Sequence, residues 1–327
     1  MTGATDGVEY MAGELDRDAT FYVAGHRGLV GSAIVRRLQA AGFTHVVGKT
    51  SAELDLKNRD EVFAYLAEIR PRYLVLAAAK VGGILANSRY PVDFLSDNLR
   101  IQSNVLDAAL ANEVERVAFL GSSCIYPKFA EQPISENALL TGRLEPTNDA
   151  YAIAKIAGIL NIQAVRRQYG LPWISAMPTN LYGPNDNFSP EDSHVLPALI
   201  RRYDEAARSG AWSVTNWGTG KPRREFLHSD DMADAVLHLL EHYDGPEQVN
   251  VGTGSDLTIR EIADMIAGIV GFDGDTEWDA SKPDGTPQKL LEVSKLAEAG
   301  WTSRIPLEDG LSRTVDWYRA NVETARV

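Results

Sequence analysis

Short runs of β-branched and aromatic residues alternate along the first half of the chain with longer stretches whose apolar side chains recur every three or four positions. The runs at 20–24, 45–48, 73–78, 116–120 and 173–177 have the length and composition of strands. The stretches at 29–41, 58–69, 91–112 and 149–169 have helical spacing. Alternation of this kind predicts an α/β fold with a doubly wound parallel sheet covered on both faces. Such sheets take ligands outside the carboxyl ends of their strands, where the strand order reverses.

The second half is less regular. Helices are expected at 194–208, 230–242 and 307–321, and a strand at 247–251 that rejoins the sheet. Thr258 opens another helix, with Glu261 three residues on in the spacing of a capping box. The segments 127–148 and 279–287 are polar and broken by Pro and Gly, and read as loops. Residues 1–18, acidic and rich in Gly, Ala and Thr, read as a disordered tail. Residues 19–183 then form a nucleotide-binding domain, and 184–327 mainly a smaller α/β substrate-binding domain.

Composition narrows the function classes. The 327 residues carry 32 Lys+Arg against 45 Asp+Glu, a net charge of −13, which argues against a nucleic-acid binder but leaves room for a local basic pocket. A single cysteine, Cys124, excludes an internal disulfide and a multi-thiolate zinc site, and no metal is expected. The tail lacks the basic start and apolar centre of a signal peptide. The apolar run 74–79 is far short of a membrane span. A cytoplasmic protein with no membrane contact is therefore expected.

Gly25-His-Arg27-Gly28-Leu29-Val30-Gly31 lies between the first strand and its helix. Glycines there permit a tight turn and close approach of backbone to a pyrophosphate, which the helix N-terminus attracts. The fold expected is thus Rossmann-like. After the second strand, where NAD sites place an acidic side chain, stand Lys49, Thr50 and Ser51. Together with Arg27 they suit a 2′-phosphate and favour NADP(H), and Asp55 is placed to hold the adenine amino group.

Tyr151 and Lys155, four apart on a helix, share one face. An ammonium near a phenol favours the phenolate, so Lys155 is expected to lower the Tyr151 pKa and fit it for proton transfer to a carbonyl oxygen. Ser122 and Ser123, at the end of the fourth strand, stand where a hydroxyl could assist. The glycine loop, the Ser122-to-Tyr126 turn, Tyr151-x-x-x-Lys155 and Asn180-Leu-Tyr-Gly-Pro184 together resemble the extended short-chain dehydrogenase/reductases.

Cys124 stands beside this hydroxyl pair, and His194 begins a helix after the fifth-strand loop. Protons next to a ketone are acidic, because the enolate spreads charge onto oxygen that Tyr151 and Ser122 would stabilise. Cys124 and His194 could then remove and supply a proton on opposite faces, inverting a carbon. Blander readings suffice for His26, His45, His228, His238 and His242.

Longer motifs narrow the resemblance. Gly25-to-Ala33, Leu76-to-Ile84, Gly121-to-Lys128, Glu145-Pro-Thr-Asn148, Tyr151-to-Gly158, Met177-to-Pro184, Arg223-to-His228 and Ser281-to-Pro287 are similar to the GDP-L-fucose synthase family, from about residue 20 to about residue 320. The resemblance implies epimerisation of GDP-4-keto-6-deoxy-D-mannose at C3 and C5, followed by NADPH-dependent reduction at C4. It implies a triad of Ser122, Tyr151 and Lys155, with Tyr126 selecting Ser122 over Ser123. It implies Cys124 as base and His194 as acid. Ala77, Pro178 and His194 would contact the cofactor. Asn180, Arg202, Trp217, Arg224, Asp284 and Lys289 would hold the sugar nucleotide. It also implies a homodimer pairing helices 91–112 and 149–169. Family members often carry Arg near position 51, where this chain has Ser51. The alternatives are an NAD-dependent sugar-nucleotide 4-epimerase or 4,6-dehydratase, and a dinucleotide-sensing regulator. Ser123 and Cys124 stand where dehydratases place carboxylates, and a 4-epimerase has no need of the Cys/His pair.

Overall fold

Residues 13–190, 193–282 and 284–323 are described by a computed structural model of the chain. Strand β1 (Phe21–Ala24) leads into helix α1 (Leu29–Ala40), and β2 (Val46–Val47) into α2 (Arg59–Ile69). β3 (Tyr73–Leu76) is followed by the short α3 (Ile84–Arg89) and the long α4 (Pro91–Ala111). β4 (Arg116–Leu120) precedes the loop 121–148, which is broken by two short 3-10 turns. Then come α5 (Asp149–Tyr169) and β5 (Ile174–Pro178). Every residue of β1, β3, β4 and β5 is buried, which is why these strands read as unbroken apolar runs rather than as alternations.

Beyond β5 the elements shorten. β6 (Asn180–Tyr182), α6 (Val195–Ser209), β7 (Ser213–Trp217), β8 (Arg223–Arg224), β9 (Phe226–His228) and α7 (Ser229–His242) follow in order. β10 (Val249–Val251) then pairs with β5 and rejoins the main sheet, as expected. β11 (Leu257–Thr258), α8 (Ile259–Val270), β12 (Asp275–Asp279), β13 (Gln288–Lys289), α9 (Ser294–Glu298) and α10 (Leu307–Asn321) complete the chain. The capping box at Thr258 is present: its hydroxyl accepts from Glu261 N–H at 3.1 Å, and the Glu261 carboxylate accepts from Thr258 N–H at 2.7 Å.

The main sheet has six parallel strands in the order β10-β5-β4-β3-β1-β2. The order reverses at β1, with β2 on one side and β3 on the other. Phe21 and Val23 face a core under α1 and α7, while Tyr22 and Ala24 face one under α2, α4 and α5. A third apolar cluster, including Tyr203, Ile262, Leu311 and Tyr318, joins α6, α8 and α10.

One expectation needs correction. Residues 15–17 are anchored rather than loose: Leu15 is buried in the core beneath α1, Asp16 N–H donates to the Tyr73 hydroxyl at 3.0 Å, and Arg17 pairs with Glu241 at 2.6 Å. Their partners lie far along the chain, so local composition hid the packing. The remainder of the proposed tail, 1–12, falls outside the described residues.

Candidate active site

The glycine loop closes on the carboxyl end of β3. Gly25 has φ +85°, and a Cβ there would lie 2.8 Å from Ala78 N. A Cβ on Gly31 would lie 2.1 Å from Gly25 O, so helix and turn touch backbone to backbone. No side chain caps α1 at Gly28, which leaves its first-turn N–H groups for an anion. Leu29 and Val30, half-buried, form that first turn, and Ala77 stands opposite, its N–H donating to Ala24 O at 3.0 Å. This cradle fits a pyrophosphate.

At the end of β2, Lys49 is exposed, 3.9 Å from Glu53 and over the Tyr65 ring at 5.8 Å. Glu53 went unnoticed in the sequence. Its carboxylate accepts from Thr50 N–H at 2.8 Å and Thr50 Oγ1 at 2.7 Å. These hydrogen bonds, with smaller contributions from the charges of Lys49 and Arg27, hold its pKa below the usual carboxylate range. Both cations expected to meet a 2′-phosphate thus already face one carboxylate. Ser51 and Asp55 are exposed nearby, and Asp55 Oδ1 accepts from Lys57 N–H at 3.0 Å.

Tyr151 lies one turn into α5, edge-on to Phe94 of α4 with ring centroids 6.4 Å apart. It hydrogen-bonds Ser122, whose Oγ also accepts from Cys124 N–H at 3.2 Å. Ser123 is buried in the 3-10 turn, so Ser122 is the hydroxyl that meets the phenol. Lys155, 4% exposed, donates to Leu120 O at 2.7 Å and sits 5.8 Å from the Tyr151 ring centre. Burial holds its pKa down to about 8.

The expected lowering of the Tyr151 pKa is not found. Burial pushes the phenol up, and the Cys124 charge adds to this against the Ser122 hydrogen bond. Tyr126, whose spacing from Ser122 marked that serine in the motif, has a buried hydroxyl that donates to Asn250 Oδ1 at 2.5 Å and ties this loop to β10.

Cys124 Sγ lies 3.3 Å from Asn148 Nδ2 and 3.5 Å from Lys289 Nζ. Burial pushes the thiol up, but the Lys289 charge and hydrogen bonds from Ser122, Lys289 and Asn148 outweigh it, and the net shift is downward. His194 is the N-cap of α6, and its residue is exposed. Surrounding protein lowers its pKa, and the Lys289 charge lowers it further. Sequence reasoning placed Asn148 in a motif without a role, since an Asn before a helix reads as a cap; here its side chain makes no cap bond.

Of the nucleotide-sugar candidates, Lys289 reaches the Cys124 sulfur and Arg224 interacts with it. Asn180 Nδ2 donates to Glu225 O at 2.8 Å, next to buried Pro178 at the end of β5. Arg224, half-buried on β8, has its pKa lowered by burial, with Asp284 and Cys124 pulling the other way. Arg202 Nη1 donates to Asn216 Oδ1 at 2.5 Å. Trp217 is 60% exposed, with Lys282 Nζ 5.6 Å from its ring centre. Asp284 accepts from Thr219 N–H at 2.6 Å and Thr219 Oγ1 at 2.8 Å. Glu225, fully buried and missed in the sequence, accepts from the backbone N–H groups of Thr253, Gly254 and Leu291 at 2.6, 2.8 and 3.0 Å. It fastens the strand carrying Arg224 to the segment carrying Lys289. Among the described residues no His/Cys/Asp/Glu cluster could hold a metal ion, and no helix is long and apolar enough to cross a membrane.

Known proteins show the same arrangement at the level of sequence and fold. The profile of the NAD dependent epimerase/dehydratase family matches residues 21–252. A probable GDP-L-fucose synthase 1 of Oryza sativa subsp. japonica is 61% identical over 312 residues, 95% of each chain. The GDP-L-fucose synthase of Escherichia coli (strain K12) is 52% identical over 314 residues, covering 93% of this chain and 98% of its own. The crystal structure of a GDP-L-fucose synthetase from Naegleria fowleri bound to NADP superposes with a TM-score of 0.89 at 30% identity, over 96% of this chain and 98% of that one. This chain belongs to the NAD dependent epimerase/dehydratase family and, within it, to the GDP-L-fucose synthases.

Proposed function

We propose that the chain converts GDP-4-keto-6-deoxy-D-mannose to GDP-L-fucose, inverting C3 and C5 and reducing the C4 ketone with NADPH. The observation that carries this reading is the meeting of two chemistries at one point: Cys124 N–H donates to Ser122 Oγ at 3.2 Å, and both the thiol and that hydroxyl act on the Tyr151 phenol. NADPH, held at the glycine loop and the β3 and β5 ends with Ala77 and Pro178, supplies hydride when bound.

The chain's own groups do the rest. Ser122 and Tyr151 donate to the C4 oxygen and stabilise the enolate that forms when Cys124 takes a proton from C3 or C5. His194 returns a proton on the opposite face. In the reduction, Tyr151 gives its proton to the C4 oxygen. A phenol whose pKa burial raises is protonated at working pH, as a donor must be, and Lys155 stabilises the phenolate left behind. Arg224 and Arg202 bind the diphosphate, Trp217 and Asp284 the guanosine, and Asn180 the sugar side of the cleft. Arg27, Lys49, Ser51 and Asp55 hold the adenosine end of NADP(H). On this reading 19–183 is the nucleotide-binding domain and 184–327 mainly the substrate-binding one.

We place the protein in the cytoplasm, where a lone cysteine with a lowered pKa stays reduced. A homodimer fits the outer faces of α4 and α5, where Val92, Ile153 and Leu160 are 73%, 46% and 41% exposed. Sedimentation should give a dimer, and Leu160→Glu a monomer.

The test of function mixes the protein with NADPH and GDP-4-keto-6-deoxy-D-mannose in heavy water. Oxidation of NADPH with deuterium at C3 and C5 is the expected result. Neither signal from folded protein overturns the substrate; deuterium without oxidation overturns the reductase half.

A further inference from the structure

We propose that Lys289 is a positioning residue for the epimerisation half-reaction, acting with Asn148 to hold Cys124 in its thiolate form. This deepens the reading above and rests on Cys124 being the base.

The geometry around the sulfur carries it. Sγ is approached by Lys289 Nζ at 3.5 Å and Asn148 Nδ2 at 3.3 Å. An ammonium has donors only, and an amide nitrogen donates, so neither can accept from an S–H; both suit an anionic sulfur. The other ionisable groups that interact with it are Arg224 of β8 and Tyr151 of α5, while His194 at the start of α6 feels the Lys289 charge. Arg224 favours the thiolate, and Tyr151 is a neutral phenol. The downward shift of the thiol, against the effect of its own burial, agrees with this arrangement.

Backbone pairing sets the position of Lys289. β13 pairs in parallel with β8, setting Lys289 against Arg224. On the other edge, Leu290 N–H donates to Gln132 Oε1 at 2.9 Å, and Ile134 N–H to Leu290 O at 2.8 Å. Gln288 is anchored to Asp256 at 2.6 Å. The backbone that carries Lys289 is thus anchored on both sides of it. The ammonium also faces His194 and disfavours the imidazolium. One cation therefore acts on base and acid together: it favours the thiolate on one side and makes the imidazolium a stronger proton donor on the other.

Because Cys124 is the only cysteine, its reaction with iodoacetamide can be read without ambiguity in the full chain. In the wild type the rate should follow a midpoint below the ordinary thiol value. In Lys289→Met the midpoint should rise by at least one pH unit, about a tenfold loss of rate at neutral pH, and Lys289→Arg should restore most of it. Asn148→Ala should shift it less, in the same direction. Retained NADPH binding reports that each variant is folded. The acidic limb of deuterium uptake at C3 and C5 should move with the alkylation midpoint. A midpoint that stays put in both folded variants overturns the proposal. So does a Lys289→Met enzyme whose KM rises while its pH limb is unchanged, which would make Lys289 a ligand of the sugar nucleotide. Full exchange by Cys124→Ser would instead overturn the base assignment, while the alkylation shift would still report on the contact.

Discussion

The side-chain amide of Asn148 turns away from the helix it precedes and donates to Cys124 Sγ at 3.3 Å. The residue that begins the Tyr151 helix thus serves the neighbouring chemistry. Replacing an N-cap Asn with Ala ordinarily costs about 1 kcal/mol. Here no cap bond is lost, so Asn148→Ala should change urea-unfolding stability by less than about 0.5 kcal/mol. Deuterium exchange at C3 and C5 should nevertheless slow severalfold, less than in Lys289→Met, because one hydrogen bond to the thiolate is lost.

Exchange should show a bell-shaped pH dependence. The thiol must be deprotonated and the imidazole protonated, yet both pKa values are shifted down. The rise on the acidic side, set by the thiol, should lie below the ordinary thiol value of about 8.5, and the fall on the alkaline side, set by the imidazolium, below the ordinary histidine value of about 6.5. Limbs at or above these values would show that the pocket leaves the pair untuned.

Lys155 is buried with its pKa held down to about 8, so keeping it charged costs stability. Lys155→Met should abolish reduction yet unfold at higher urea, by about 1–3 kcal/mol at pH 7 after the lost Leu120 hydrogen bond is counted. The folded pKa lies below the unfolded one, so the wild type binds fewer protons when folded between about pH 8 and about pH 10.4. Its stability should rise with pH across that window, and the gap to the Met variant should close. A less stable Met variant at pH 7 would contradict this.

Gly31→Ala would place a methyl 2.1 Å from Gly25 O, with only backbone to yield. NADPH binding, followed by its fluorescence, should weaken at least a hundredfold. Near-native binding would mean that the turn can open without losing its grip on the phosphates.

Cys124, Tyr151 and Lys155 were legible because each sits in a long motif whose neighbours fix its place at the end of β4 or on α5. The long helices were legible too, since 149–169 and 307–321 carry their own periodicity. Two-residue strands such as β8 and β13 carry none. Their existence depends on pairing between residues 65 positions apart, so the approach of Lys289 to Cys124 was invisible. Glu53 was hidden for another reason: an acid four residues from Lys49 reads as a surface pair until the turn at Thr50 is seen to fold it back. The Tyr151 shift went the wrong way because residue spacing reports a neighbouring charge but not the depth of burial.

The return of β10 to the main sheet ties the two halves of the chain into one object. Asn250 accepts from Tyr126, and its amide donates to Ile134 O and Glu292 O at 2.9 and 3.1 Å, so three distant stretches converge on one side chain. Neither half is therefore a contiguous cassette. A fragment ending at residue 183 would carry the glycine loop, the triad and Cys124, but its sheet would end at β5 with a bare edge, and Tyr126 would have lost its partner. Exchange of substrate preference between relatives should accordingly proceed by changing side chains within the intact chain. Splicing at the apparent border would cut through the sheet that holds both chemistries in register.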